Sequence, residues 1–145
     1  MFKIGVGPSS SHTLGPWRAA GLFISKLKAM DLLNRVETVE VRLYGSLAKT
    51  GKGHGTDIAV QLGLMDEDPE NFPVENLTTV IQSIATDQKL NLGGSRFIPF
   101  VPGKSIIFLM KETLAYHPNG LSFSAKLSDD RVLTETYYSV GGGFV

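Results

Sequence analysis

Cysteine is missing from all 145 residues. Disulfides are excluded, as are a cysteine nucleophile and any iron–sulfur or thiolate–zinc site built from this chain alone. Its absence is consistent with a cytoplasmic protein. Excess charge is missing too: 14 Lys and Arg balance 14 Asp and Glu. Without a basic surplus the electrostatic footprint of a nucleic-acid binder is absent. No apolar run approaches the roughly 20 residues of a membrane helix. The most signal-like stretch, Leu14 to Met30, is interrupted by Arg18, Lys26 and Lys28. The expectation is a soluble, untargeted chain with neither nucleic acid nor membrane as partner. The first thirty residues also lack Asp and Glu while carrying Lys3, Arg18, Lys26 and Lys28. That asymmetry favours an anionic ligand near the start, or a solvated basic helix face.

What is present describes one domain over residues 1–145, able to bury about two-thirds of its unfolded surface. Hydrophobic residues make up 42% and charged residues 19%, which suits a packed core. Phe2 to Val6 alternates and reads as an extended lead-in. Pro16 to Met30 places Trp17, Ala20, Ile24 and Leu27 at helical spacing, with Trp17 read as core. Val36 to Tyr44 is a strand, with Val39, Val41 and Leu43 on one face and Glu40 and Arg42 on the other. Thr56 and Asp57 are N-cap candidates for a helix carrying Ile58, Ala59, Leu62 and Met65. Gly63 and Asp66 to Pro69 loosen or end it. Pro73 opens a third helix with Val74, Leu77, Ile81 and Ile84 on one stripe.

Short strands follow Asp87. Pro99 demotes Arg96 to Ile98 to an edge or a bend. Ser105 to Leu109 is a buried-looking run, and Pro118-Asn119-Gly120 a turn. Leu121 to Leu127 and Val132 to Val140, joined at Asp129-Asp130, form an antiparallel hairpin. The fold class is α+β: a two-layer sandwich with a mixed β-sheet.

Two polar segments are candidates for chemistry. Ser9, Ser10, Ser11, His12 and Thr13 sit between turn-forming Gly7-Pro8 and the first helix. Gly45 to Gly55 has four glycines in eleven residues and contains Lys52 and His54. Glycines let backbone approach a ligand closely, and each segment leads into a helix N-terminus, where unpaired N–H groups and the positive dipole end accept an anion. Ordinary capping explains Ser, Thr and Asp in these places equally well. The second segment is not a nucleotide phosphate loop. Five residues, not four, separate Gly45 from Gly51, and Gly53 stands where Ser or Thr would hold magnesium. His12, His54 and His117 lack metal-ligand spacing, and no G-x-S-x-G elbow exists for a serine hydrolase. If the sheet brings the two segments together, they form a pocket for a small zwitterion or hydroxy acid, with carboxylate at the helix N-termini and ammonium on Asp57.

GPSSSHT near the start, YGSLAKTGKGHGTD in the middle and YYSVGGGFV at the end resemble the iron–sulfur-dependent bacterial L-serine dehydratases, in their N-terminal, β domain. The resemblance spans Phe2 to Val145. It implies conversion of L-serine to pyruvate and ammonia. It also implies a fold similar to the allosteric substrate-binding domain of phosphoglycerate dehydrogenases, and a [4Fe–4S] cluster held by cysteines of a separate α domain. That cysteine-bearing portion is missing here, so the chain is expected to be an isolated domain or one subunit of a two-subunit enzyme, inactive alone. The implied partners are L-serine, the α domain or subunit and a second copy in a homodimer. His54 becomes the candidate base or substrate-orienting group. His12, Ser9, Ser10, Ser11 and Thr13 would line the cleft and fix the carboxylate, completed by Lys52, Thr56 and Asp57. Two alternatives compete: an L-serine-sensing regulatory and dimerisation module without catalytic residues, and a generic interaction domain that only dimerises the enzyme.

Overall fold

The structure is a computed structural model that describes residues 14–44, 56–109, 120–140 and 143–144. The extended lead-in over residues 2–6 and the turn at Pro118-Asn119 lie outside them. The fold class is α+β, as expected. Helix α1 spans Leu14–Ala29, and a 3-10 turn over Leu33–Arg35 leads to β1, Val36–Tyr44. Then come α2 (Thr56–Leu64), a 3-10 turn (Val74–Asn76), α3 (Leu77–Asp87), β2 (Lys89–Leu92) and β3 (Arg96–Pro99). The chain continues through the single helical turn α4 (Pro102–Ser105) to β4 (Ile106–Leu109), β5 (Gly120–Leu127), β6 (Val132–Val140) and β7 (Gly143–Phe144).

The main sheet has the order β4-β1-β5-β6-β7 and is mixed: β1 runs parallel to β4 and antiparallel to β5. Alternation decides which face is covered. Val39, Val41 and Leu43 of β1 are buried, as are Leu121, Phe123, Ala125 and Leu127 of β5. Helix α1 lies on that face, with the Phe23 ring stacked on Phe123 at 5.3 Å between centroids. Each such aromatic burial contributes about 1.5–3 kcal/mol. The opposite face carries Glu40, Arg42, Ser124 and Thr134, whose spacing of two puts them away from the helices. The Ser124 and Thr134 hydroxyls hydrogen-bond across strands at 2.9 Å.

Trp17 is core, as its spacing indicated. It is 1% exposed, packs with Ala59, Leu62 and Phe72, and its Nε1 donates to the Glu67 carbonyl at 2.8 Å. A buried indole N–H needs such a partner. The basic residues of α1 are engaged by carboxylates: Arg18 with Glu70, Lys26 with Glu135 and Lys28 with Asp66. These exposed pairs are worth little stability each, but they make the basic stretch a solvated, paired face. Arg18, Lys26 and Lys28 therefore do not argue for an anionic ligand.

Two local expectations change. Pro73 precedes a 3-10 turn, and α3 proper starts four residues later at Leu77. Ser105 belongs to the turn before β4, not to the strand, and its Oγ accepts from Val101 N. The short strands expected after Asp87 form the β2–β3 hairpin, with Gly93 at φ 62° and Gly94 at φ 75° in its turn. Arg96 to Pro99 is an edge strand of a two-stranded sheet, one of the two outcomes that Pro99 implied. A Cβ on Gly93 would come within 2.7 Å of Leu33, and its N–H caps the Leu64 carbonyl at the end of α2. Gly63 is the penultimate residue of α2, which ends there as expected. A Cβ there would stand 2.4 Å from the Trp17 carbonyl oxygen and 2.5 Å from the Ala20 Cβ. Glycine lets α1 and α2 touch backbone to backbone. Gly63→Ala should therefore lower the unfolding free energy by about 1–3 kcal/mol through overpacking, despite alanine's better helix propensity. Urea denaturation reads this, and an unchanged or raised midpoint would refute the close-contact role.

Candidate functional site

Of the nine residues singled out for the site, Thr56 and Asp57 are described; Ser9, Ser10, Ser11, His12, Thr13, Lys52 and His54 lie outside the described residues, as does His117. The described parts nevertheless fix where the two polar segments attach. The turn leaving α1 is held against the far end of the β5–β6 hairpin, where Ser128 N donates to the Arg35 carbonyl at 2.8 Å. From there β1 runs back along the sheet, so α1 begins toward the end at which β1 finishes. A helix of 16 residues is about 24 Å long, comparable to the roughly 30 Å of a nine-residue strand. The same end holds the finish of β4 and the start of β5, since Tyr44 pairs with Leu109 and Leu43 with Leu121. It also holds the finish of β6, where β7 turns back and touches α1.

Helix α2 points the same way. Its last carbonyl, on Leu64, accepts from Gly93, which packs on Leu33 near the far end. Its first residue, Thr56, faces back toward the end where β1 stops. Both helix N-termini, with their positive dipole ends, are thus directed to one end of the domain.

At the start of α2, Thr56 is fully buried and Asp57 Oδ1 accepts from Ile58 N at 2.9 Å. An acidic residue in the first turn complements the dipole. One turn on, Gln61 is 2% exposed, and its Nε2 donates to the Asp57 carbonyl at 3.0 Å. That carbonyl can only accept, so the amide orientation is settled. Among the described residues Gln61 Oε1 is left buried without a hydrogen-bond donor. Sequence reasoning passed over Gln61, although it is the one amide in a stretch of Ile58, Ala59, Val60 and Leu62.

Midway along β1 on the outer face, Glu40 accepts from Arg42 Nε at 2.9 Å. The Glu40 charge, that hydrogen bond and a further one to Tyr44 hold the guanidinium still more firmly protonated than usual. Among the described residues no group of three His, Cys, Asp or Glu could hold a metal ion, and no helix is long and apolar enough to cross a membrane.

An orphaned buried acceptor costs about 1–3 kcal/mol. Gln61→Leu removes it while the Asp57 carbonyl keeps its helical partner, so the variant should be about 1 kcal/mol more stable. Thermal or urea unfolding reads this. A loss of stability would show that Oε1 has a donor in solution.

Comparison with known proteins agrees with the three motifs. The family model described as serine dehydratase beta chain matches residues 1–145. The L-serine dehydratase of Streptomyces coelicolor is 44% identical over 146 residues, covering 100% of this chain and 32% of that protein. L-serine dehydratase 2 of Escherichia coli K12 is 41% identical over 145 residues, again with 100% and 32% covered. For the L-serine dehydratase of Helicobacter pylori J99 the figures are 44%, 100% and 31%. The chain thus spans about a third of the length of the curated relatives it matches. It belongs to the serine dehydratase beta chain family.

Proposed function

We propose that this chain is the β portion of an L-serine ammonia-lyase and lines the cleft in which L-serine becomes pyruvate and ammonia. The observation that carries the reading is the common direction of α1 and α2. Each begins where one polar segment ends, and both begin toward the finish of β1. The serine carboxylate is met by N–H groups at these helix starts, by Ser9, Ser10, Ser11 and Thr13, and by Lys52. The ammonium is met by Asp57, beside Thr56.

The reaction is a β-elimination. A base takes the proton from Cα, and the hydroxyl leaves from Cβ. His54 is assigned the base or the substrate-orienting role, and His12 is assigned to line the same cleft and help fix the carboxylate. A neutral imidazole suits the task because its ordinary pKa lies near working pH.

The chain's donor set does not fit an iron–sulfur cluster. It contains no cysteine, and thiolates are the usual ligands of a [4Fe–4S] centre. Such a cluster is assigned to an α portion that supplies the remaining two-thirds of the relatives' length. Assistance to the departing hydroxyl falls to that portion. The motif resemblance supports a cytoplasmic homodimeric assembly.

In a complete two-portion enzyme, His54→Ala should lower kcat/KM by about 10²–10⁴, the usual contribution of a positioned base. Retention of normal kcat/KM would refute the assignment. Calorimetry with the isolated chain separates the alternatives. A shared cleft predicts no serine binding until the α portion is added; binding without it would favour the sensing module.

A further inference from the structure

The outer face of the sheet carries a cavity of about 350 Å³. It lies at the end of the sheet away from the finish of β1, against α4. Lys104 and Ser105 of α4 stand on one side, with Thr38 and Glu40 of β1 and Ser124 and Lys126 of β5 forming its floor and far wall. The volume is at the lower end for small-molecule sites. We propose that this cavity binds a small organic anion, a carboxylate or a phosphate ester, between the two lysines. None of its residues belongs to segments 9–13 or 45–57, so it is independent of the reading above.

The charge balance favours an anion. Among the described residues no carboxylate pairs with Lys104. Among the same residues Lys126 has only Asp130 at 4.0 Å, on a side chain 87% exposed. The single carboxylate in the lining, Glu40, is already engaged by Arg42. The cavity is left with two cationic groups whose charges are scarcely compensated.

The hydroxyls are suited to the same ligand. Ser105 Oγ accepts from Val101 N at 3.2 Å, which leaves its O–H to donate. Ser124 shares one hydrogen bond with Thr134 and retains further capacity. Hydrogen bonds from ammonium to an anionic oxygen are about twice as strong as neutral ones. Val132, 61% exposed at the rim, offers apolar contact to a short carbon chain.

The test is an amide chemical-shift titration of the 145-residue chain with sodium phosphate and, separately, sodium lactate, at constant ionic strength and against sodium chloride. Saturable shifts at Thr38, Ser105, Ser124 and Lys126 are expected with one or both probes. Saturation by lactate alone identifies a carboxylate site, and by phosphate alone a phosphate-ester site. Lys104→Ala with Lys126→Ala, both on the surface, should weaken binding at least tenfold. Glu40→Gln should tighten it several-fold by removing the negative charge. Shifts that never saturate, or that are the same in the double variant, would mean an adventitious ion only and overturn the proposal. Weaker binding in Glu40→Gln would also overturn it, because the ligand would then bring a cation to Glu40.

Discussion

The architecture depends on the place where α1 and α2 meet without a side chain between them. At Gly63 the helices approach so closely that even a methyl group would overlap the Trp17 carbonyl oxygen. That contact lets Ala59 and Leu62 enclose Trp17 together with Phe72. It also sets the direction of α2 relative to α1, and hence the direction of both helix N-termini. A bulkier residue would push α2 off its neighbour and carry Thr56 and Asp57 with it. Because interiors are close-packed, such a displacement is not absorbed locally. The position of the candidate site is therefore a consequence of core packing at the other end of the same helix.

Much of this was legible in the sequence where one physical signal dominated. Val39, Val41 and Leu43 alternate with Glu40 and Arg42, and the strand spans Val36 to Tyr44 with a register shift between Val36 and Thr38. The hairpin of β5 and β6 follows from its alternating pattern and from Asp129-Asp130. Asp130 adopts φ 70°, and Asp129 accepts hydrogen bonds from Arg131, first through the backbone N–H, which holds its carboxyl below the usual range. Other features were not legible because the deciding partner is distant in sequence. The demand for glycine at 63 comes from Trp17 and Ala20, and the demand at 93 from Leu33. Hairpin β2–β3 is only four residues a side and carries proline at one end, so its alternation was too short to read. For the site, the motifs were visible as chemistry, but nothing in their spacing says which end of a sheet they occupy. That information comes from α1 returning to β1 through Arg35 and Ser128.

Electrostatics divide the molecule in a way that a net charge of +0 conceals. Along α1 each described cation has a carboxylate partner from another part of the chain. These pairs join α1 to the segment after α2 and to β6, adding register more than energy. The outer face behaves differently. Arg42 and Glu40 satisfy one another, while Lys104 and Lys126 remain poorly compensated over a cavity. The cations of α1 are thus paired, whereas among the described residues the two lysines over the cavity are not closely paired.

The central claim is that residues 9–13 and 45–55 converge at the end of the domain where β1 stops. The lack of cysteine makes a direct measurement simple, because two introduced thiols are the only sites for labelling. Spin labels on Thr13→Cys and Gly55→Cys, read by double electron–electron resonance, report the separation of the segments where they enter α1 and α2. A distance below about 20 Å is predicted, against a domain width of about 35 Å for a chain of this length. A distribution centred near that full width would contradict it.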